Sequence, residues 1–434
     1  MKQNPRDPSP TPLAACNVEI DREFVRCGGG SRRHVRVSLQ ATAAPAGTAR
    51  SPLRIAFVVD RSGSMSGEPL TLAGRAVCEA VALLDADDTF ALLAFDDACQ
   101  VAMAAGPASE DRKREALALC RALAPGGSTN LAGGWAEGCA QVAVGASGAL
   151  ARVLVFTDGQ ANVGETRPTA LCEHARALRR KGVATSCLGL GEGFNESLLG
   201  AMADAGGGRF YFAARPEELI EHMRAEVLEG LDVVGRGLAV DLRPHDRGRV
   251  AVLGGLPSEW TGSALRVELG DVVARQNLDA VFSVLLPAGS MGETRAFDVT
   301  VVDADGRPCA PMQTVRFTYA PGDVVDRQPR EIAVDRRVAR LHANDARLAA
   351  VTMNREGRYA EARARLLAVA ERVASYAGHD AGLGAIVREL RVGADEFGHA
   401  LDEGVLKSAH SSAYFSTRSK TTRGRSSRDE DDII

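Results

Sequence analysis

Three short stretches hold oxygen-bearing side chains at spacings that could ligate a cation: Asp60-Arg61-Ser62-Gly63-Ser64, Gly127-Ser128-Thr129-Asn130 and Thr157-Asp158-Gly159. The first ends the apolar run Arg54-Ile-Ala-Phe-Val-Val, and the third ends Arg152-Val-Leu-Val-Phe. Apolar runs of this kind read as strands buried on both faces, as in a parallel sheet covered by helices, whose carboxyl ends are where ligands bind. Strands ending at Asp60 and Thr157 can be neighbours, and the loop before Asn130 can lie over the same edge. Two carboxylates (Asp60, Asp158) and three hydroxyls (Ser62, Ser64, Thr129) would then converge and leave a position for water or an outside ligand. An all-oxygen set of this kind suits Mg2+, with Mn2+ or Ca2+ as the other cations it would accept. The bland alternative is that these residues only cap turns by bonding backbone N–H groups. That explanation serves Asp60-x-Ser62-x-Ser64 alone better than it serves three such stretches in order.

The elements that must position them alternate from residue 51 to 230. Helical periodicity at Leu70–Leu84, 112–123 and 131–144 separates strand-like runs at Thr89–Phe95, 152–157, 183–190 and 209–212. Val101–Ala104 reads as an edge strand. Pro168–Lys181 reads as a helix closed by Gly182, and Glu196–Ala205 and Glu217–Leu228 as further helices. This alternation predicts a doubly wound, mainly parallel α/β sheet. Residues 231–322 change character, with runs such as Val281-Phe-Ser-Val-Leu-Leu and Phe297-Asp-Val-Thr-Val-Val between Gly, Pro and Asp turns. They predict an antiparallel β-sandwich. Residues 16–50 contain a similar alternating run, His34-Val-Arg-Val-Ser-Leu, a Gly28–Gly30 turn and a linker over 44–49. They are expected to join the sandwich, so that the α/β unit is inserted into it. Residues 328–412 read as helical; Gly357-Arg-Tyr-Ala-Glu-Ala resembles the turn of a tetratricopeptide unit, and a single copy implies a helical hairpin. Residues 1–15 and 413–434 lack apolar periodicity and are expected to be disordered.

Composition excludes several classes. A net charge of −4 over 434 residues argues against a dedicated nucleic-acid surface. No apolar run approaches the roughly 20 residues of a membrane helix, so membrane insertion is not expected. The nine cysteines are scattered without a Cys-x-x-Cys pair. Cys78, Cys120, Cys139 and Cys187 sit in Ala-rich contexts and read as small buried hydrophobes in a reducing compartment. With a polar, Pro-rich opening that lacks the apolar core of a signal peptide, this points to the cytoplasm. The histidines form no zinc-binding pair. Gly189-x-Gly191-x-Gly193 lacks the full dinucleotide-loop spacing and reads as a tight strand-to-helix turn. Asp96-Asp97 reads as a solvated turn, and Trp135 as core.

The three stretches in order resemble the von Willebrand factor type A domain and its metal-ion-dependent adhesion site: Asp-x-Ser-x-Ser, a distant Thr and a later Asp. Gly63-Ser64-Met65, Gly126-Gly-Ser-Thr-Asn130 and the Gly189-Leu-Gly191 strand exit match as well, and the resemblance covers residues 51 to 230. The flanking strands and helices are similar in layout to bacterial proteins and inter-α-trypsin-inhibitor-type chains built around such a domain. The resemblance implies Mg2+ held by Ser62, Ser64 and Thr129 directly and by Asp60 and Asp158 directly or through water. A carboxylate from a partner protein would fill the open position. It implies a non-enzymatic binding or scaffold protein with no catalytic residues. The alternative is a metal-dependent phosphohydrolase using the same cluster. Against it, Asp60-Arg-Ser lacks a second aspartate two residues on, and no Lys or His stands beside it for acid–base work.

Overall fold

Strands with no exposed face lie at the centre of the molecule. In the computed structural model, which describes residues 12–43, 51–143, 150–158, 160–191, 193–212, 216–246, 249–418 and 427, the runs ending at Asp60 and Thr157 are adjacent and almost wholly buried. In chain order, β1 (Leu13–Ile20), β2 (Phe24–Arg26) and β3 (Ser31–Ala41) precede the α/β unit. That unit comprises β4 (Leu53–Asp60), α1 (Glu68–Ala82), β5 (Thr89–Phe95), β6 (Cys99–Pro107), α2 (Glu110–Arg121) and α3 (Leu131–Ala143), followed by β7 (Leu150–Thr157), α4 (Pro168–Arg180), β8 (Val183–Gly189), α5 (Glu196–Ala205), β9 (Gly207–Phe212) and α6 (Pro216–Leu231). Its sheet runs β6-β5-β4-β7-β8-β9, parallel throughout except for the edge strand β6. Helical cover on both faces makes β4 and β7 continuous apolar runs rather than alternating ones.

The chain then forms β10 (Val233–Pro244), β11 (Arg249–Val252), β12 (Ser258–Thr261), β13 (Ala264–Val273), β14 (Asn277–Leu286), β15 (Thr294–Val302) and β16 (Gln313–Ala320). Two sheets result, ordered β1-β3-β14-β11 and β12-β13-β10-β15-β16-β2. Strand β3 pairs along β14 from Gln40↔Asn277 to Ser31↔Leu286, and β2 closes the edge beside β16. Strands from before and after the α/β unit thus share both sheets, so the unit is inserted into a sandwich. The β2–β16 pair is parallel, a departure from the all-antiparallel expectation that is confined to a three-residue edge strand.

Helices α7 (Gly322–Arg327), α8 (Ile332–Arg355), α9 (Tyr359–Ala377), α10 (Ala381–Phe397) and α11 (Glu403–Thr417) complete the described chain. The hairpin expected around Gly357 is α8–α9, but α10 and α11 extend it. The described residues also correct the expected disorder at both ends. Strand β1 begins at Leu13, and α11 continues to Thr417 because Tyr414 and Phe415 are buried in the α/β core. Ser427 is buried too, its carbonyl accepting from Asn277 N at 2.8 Å. The rest of both terminal segments, and the linker over 44–49, fall outside the described residues.

Ion pairs lie in the seams between these bodies. Arg337 on α8 donates Nε and Nη2 to Asp279 of β14, each at 2.8 Å, and Nη1 to the carbonyl of Ser416 at 3.1 Å. A further ion pair lies inside the α/β unit: Glu226, on α6, is fully buried and accepts from Arg152 (2.8 Å), Ser186 Oγ (2.7 Å) and Tyr211 Oη (2.6 Å). Burial pushes the Glu226 carboxyl up, but Arg152, Arg209 and the two hydroxyls outweigh it and hold it at about 2. A carboxyl depressed in the folded state contributes stability above its unfolded value, near 4.5, and loses that contribution as the pH falls towards 2. Glu226→Gln is therefore expected to destabilise by about 3–5 kcal/mol at pH 7, because it leaves buried arginine charge uncompensated. Urea unfolding followed across pH should show the gap from wild type narrowing below about 4.5.

Candidate functional site

The site is assembled at the carboxyl edge of β4 and β7. Asp60, the last residue of β4, is fully buried. Its Oδ2 accepts from Thr157 Oγ1 at 2.6 Å, and its Oδ1 accepts from the backbone N–H of Ser62 at 2.8 Å. That second bond closes a tight turn and sends the chain into a short 3-10 turn, Gly63–Met65, which leads to α1. The turn presents Ser62 and Ser64 side by side, their hydroxyl oxygens 3.2 Å apart, Ser62 buried and Ser64 exposed. Asp158, the residue after β7, is buried to 4 % exposure. Burial raises the Asp60 carboxyl above its usual range and the charge of Asp158 raises it further, while the bonds from Thr157 and Ser62 pull the other way.

The loop that carries Thr129 is tied down from both sides. Gly126 N donates to Arg61 O at 2.6 Å and Gly63 N donates to Gly127 O at 2.9 Å, lacing it to the first stretch. Thr129 N donates to Asn162 Oδ1 at 2.8 Å, and Thr129 O accepts from Asn162 N and Val163 N, lacing it to the loop after Asp158. Thr129 is 2 % exposed. Asp158 is braced in turn: its carbonyl accepts from Asn195 N at 3.1 Å, and its Oδ1 from Gln160 N at 3.2 Å. The structure therefore links the segments of all five expected residues, Asp60, Ser62, Ser64, Thr129 and Asp158, by direct hydrogen bonds at one sheet edge. Gly159 lies outside the described residues.

Sequence reading missed the residues that hold these in place. Asp96 and Asp97 are not simply a solvated turn. Asp97 Oδ1 accepts from Ser128 N at 2.7 Å, Asp96 Oδ2 pairs with Arg61 at 2.9 Å, and Asp96 O accepts from Asn130 N. Both carboxylates press on the loop so closely that a Cβ at Gly126 would lie 2.1 Å from Asp96 Oδ2, and one at Gly127 2.2 Å from Asp97 Oδ2. The adjacent glycines before Ser128 were the available signal, since a missing Cβ marks a close approach. Asn162 and Asn195 carried no such signal. Gly189 ends β8 and Gly191 and Gly193 stand between it and α5, where a strand-to-helix turn was expected, with residue 192 outside the described residues; Gly193 O accepts from Gln160 Nε2 at 3.0 Å. Trp135 is core, its indole N–H donating to Thr185 Oγ1 at 3.0 Å.

The donor chemistry fits a hard cation. Two neighbouring carboxylates and three hydroxyls supply only oxygen, and a pair of close, buried carboxylates is the arrangement a positive charge relieves. Among the described residues no group of three or more His, Cys, Asp and Glu is placed to hold a metal, so a softer nitrogen- or sulfur-rich set has no counterpart there.

The family model of the von Willebrand factor type A domain matches residues 55–226, and the α/β unit of this chain is such a domain. Domains of this family often mediate metal-dependent protein interactions. An uncharacterized protein of Synechocystis sp. is 25% identical over 226 residues, which span 50% of either chain. YfbK of Escherichia coli is 28% identical over 43% of this chain and 33% of its own length. Human inter-alpha-trypsin inhibitor heavy chain H4 is 28% identical over 38% of this chain and 18% of its own. The chain thus spans half or less of these relatives. Among solved structures, a von Willebrand factor type A protein from Catenulispora acidiphila superposes with a TM-score of 0.69 at 18% identity, covering 89% of this chain and 91% of that one. The ArnB paralog VWA2 from Sulfolobus acidocaldarius gives 0.55 at 17% identity, over 88% and 98%. Both likenesses are of fold, and they extend beyond the α/β unit to the flanking regions. Among the described residues no helix is long and apolar enough to cross a membrane.

Asn162→Ala removes the acceptor for Thr129 N while sparing every expected site residue. The lost bond, worth about 1 kcal/mol, should speed amide hydrogen exchange over residues 126–132 roughly fivefold. Exchange in the distant sandwich should not change.

Proposed function

We propose that this protein is a Mg2+-dependent protein-binding module, without enzymatic activity, that grips an acidic residue of a partner at the Asp60–Asp158 edge. The observation that carries the reading is a fully buried Asp60, close enough to the buried Asp158 to feel its charge, followed by two serines whose hydroxyls are 3.2 Å apart and of which Ser64 is exposed. Ser62, Ser64 and Thr129 would hold the cation through their hydroxyls, with Asp60 and Asp158 acting directly or through water. When bound, the cation supplies an electrophile for an outside carboxylate. The chain's own contribution is to restrict the formal charge around that position to two carboxylates. Thr157 and the Ser62 N–H already occupy both oxygens of Asp60, which steers it towards a supporting, hydrogen-bonded role. Further carboxylates there would weaken the attraction for an incoming anion. Asp96 and Asp97 keep out of the set because Arg61 and Ser128 N engage them. The sandwich and helices serve as scaffold or as a second interface, and the protein works in the cytoplasm.

Titration with Mn2+ as the probe ion should show one site in wild type. Asp158→Ala or Thr129→Ala should weaken it more than tenfold, with an unchanged far-ultraviolet spectrum. Proteins retained from lysate with Mg2+ should be released by chelator and absent with Asp60→Ala. A partner set indifferent to chelation and to these substitutions would overturn the reading. So would phosphatase turnover that is present in wild type and lost in Asp158→Ala.

A further inference from the structure

The segment that braces Asp158 is itself held from outside the α/β unit. Asn195 N donates to Asp158 O at 3.1 Å, and Gln160 Nε2 donates to Gly193 O at 3.0 Å while Gln160 N donates to Asp158 Oδ1 at 3.2 Å. Residues 193 and 195 are thus each bonded to the Asp158 stretch, and Phe194 stands between them, 3 % exposed. Its ring centroid lies 5.1 Å from that of Phe212 and 6.0 Å from that of Phe210. The ring fits because Gly189 at the end of β8 has no side chain: a Cβ there would lie 2.6 Å from it. Over this ring sits Lys407 of α11, 2 % exposed, with Nζ 3.9 Å from the centroid.

We propose that Lys407 is a positioning residue for the candidate site: its ammonium pins the Phe194 ring, the ring fixes residues 193–195, and these hold Asp158 where a cation would meet it.

An apolar side chain of similar length would fill the same space without desolvating a charge, so what the ammonium adds is a directional hold on the ring, stronger in a buried position than at the surface. The rest of the helical region converges on the same segment. Glu196, the residue after Asn195, pairs with Arg355 at the end of α8, and Arg355 Nε donates to Glu403 at the start of α11 at 3.2 Å. Tyr414, two helical turns beyond Lys407 on α11, sets its ring 5.7 Å from that of Phe210. These contacts seat α11 so that Lys407 reaches Phe194. Neither α8 nor α11 belongs to residues 55–226, which the family model matches. The hold on Asp158 therefore comes from a part of this chain outside the domain, and a ligand or partner that displaced α11 would be felt at the site.

The hold on Asp158 exists with or without an ion, whereas its effect on binding rests on reading this edge as a cation site. The test therefore follows amide hydrogen exchange at Gln160 and Asn195 in the metal-free full chain, and titrates Mn2+ into the same samples. Lys407→Met keeps the apolar stem and removes the charge. It should speed exchange at both amides roughly fivefold and weaken Mn2+ binding about threefold, with exchange in β4 and β7 unchanged. Lys407→Arg keeps a cation over the ring and should restore both, a rescue that a merely space-filling lysine would not show. In a Phe194→Leu background Lys407→Met should add nothing. Should Lys407→Met fail to fold, Lys407→Gln takes its place. Unchanged exchange at Gln160 and Asn195, or an equal effect of the lysine substitution with and without the Phe194 ring, would overturn the proposal. Faster exchange at both amides in a chain that binds no Mn2+ even as wild type would support the hold on Asp158 and overturn the cation reading instead.

Discussion

A carboxylate buried at the tip of a strand covered on both faces is the constraint on which the rest of this structure depends. Asp60 has no exposed surface, and an ionised group so placed must be hydrogen-bonded or balanced by opposite charge. Two bonds, from Thr157 and from the N–H of Ser62, satisfy its oxygens. Each has a structural price: the first demands that β7 lie directly beside β4, and the second that the chain turn sharply after Arg61. The register of the central strands, the 3-10 turn and the start of α1 follow from these two bonds. Asp158 beside it adds like charge, which sharpens the preference for a positive ion at the edge.

The loops above this edge are held by backbone and amide contacts more than by packing. Gly126, Gly127, Thr129, Asn162 and Asn195 pass hydrogen bonds from one of the three candidate stretches to the next. The lacing reaches further than the α/β unit. Phe194, one residue before Asn195, lies under the ammonium of Lys407 on α11, with Nζ 3.9 Å from the ring centroid. Tyr414 and Arg418 hold Asp204 at the end of α5, Tyr414 Oη at 2.6 Å. The last helix is thus part of the α/β core as well as of the helical array, and Arg337 ties the same region to the sandwich through Asp279. The three bodies share buried ionic contacts, which are strongly destabilising to break one partner at a time.

The central strands, the helices between them and the candidate ligands were legible in the sequence because each rests on local pattern. A continuous apolar run ending in Asp60 or Thr157 can be read without knowing its neighbours, and Pro168–Gly182 carries its own start and stop. The parts that were not legible depend on residues distant in the chain. Asp96 and Asp97 look like any acidic turn until Gly126 and Gly127 are brought against them. Residues 413–417 sit at the edge of a Ser- and Arg-rich segment with no periodicity of its own, and only the pocket formed by β9, α5 and α6 makes Tyr414 and Phe415 core residues. Strand β12, four residues long, has too short a pattern to register at all.

The sequence by itself determined the type of chemistry available, an all-oxygen donor set spread over three stretches, and the alternation of strand and helix that delivers them to one edge. Those properties follow from side-chain identity and short-range periodicity. Tertiary structure alone decided how the stretches are held together: Thr157 on Asp60, Asn162 on Thr129 and Asn195 on the backbone of Asp158. The physical reason is the same throughout. Hydrogen bonds and close contacts between residues separated by tens of positions are set by strand order and helix spacing, which local composition does not encode.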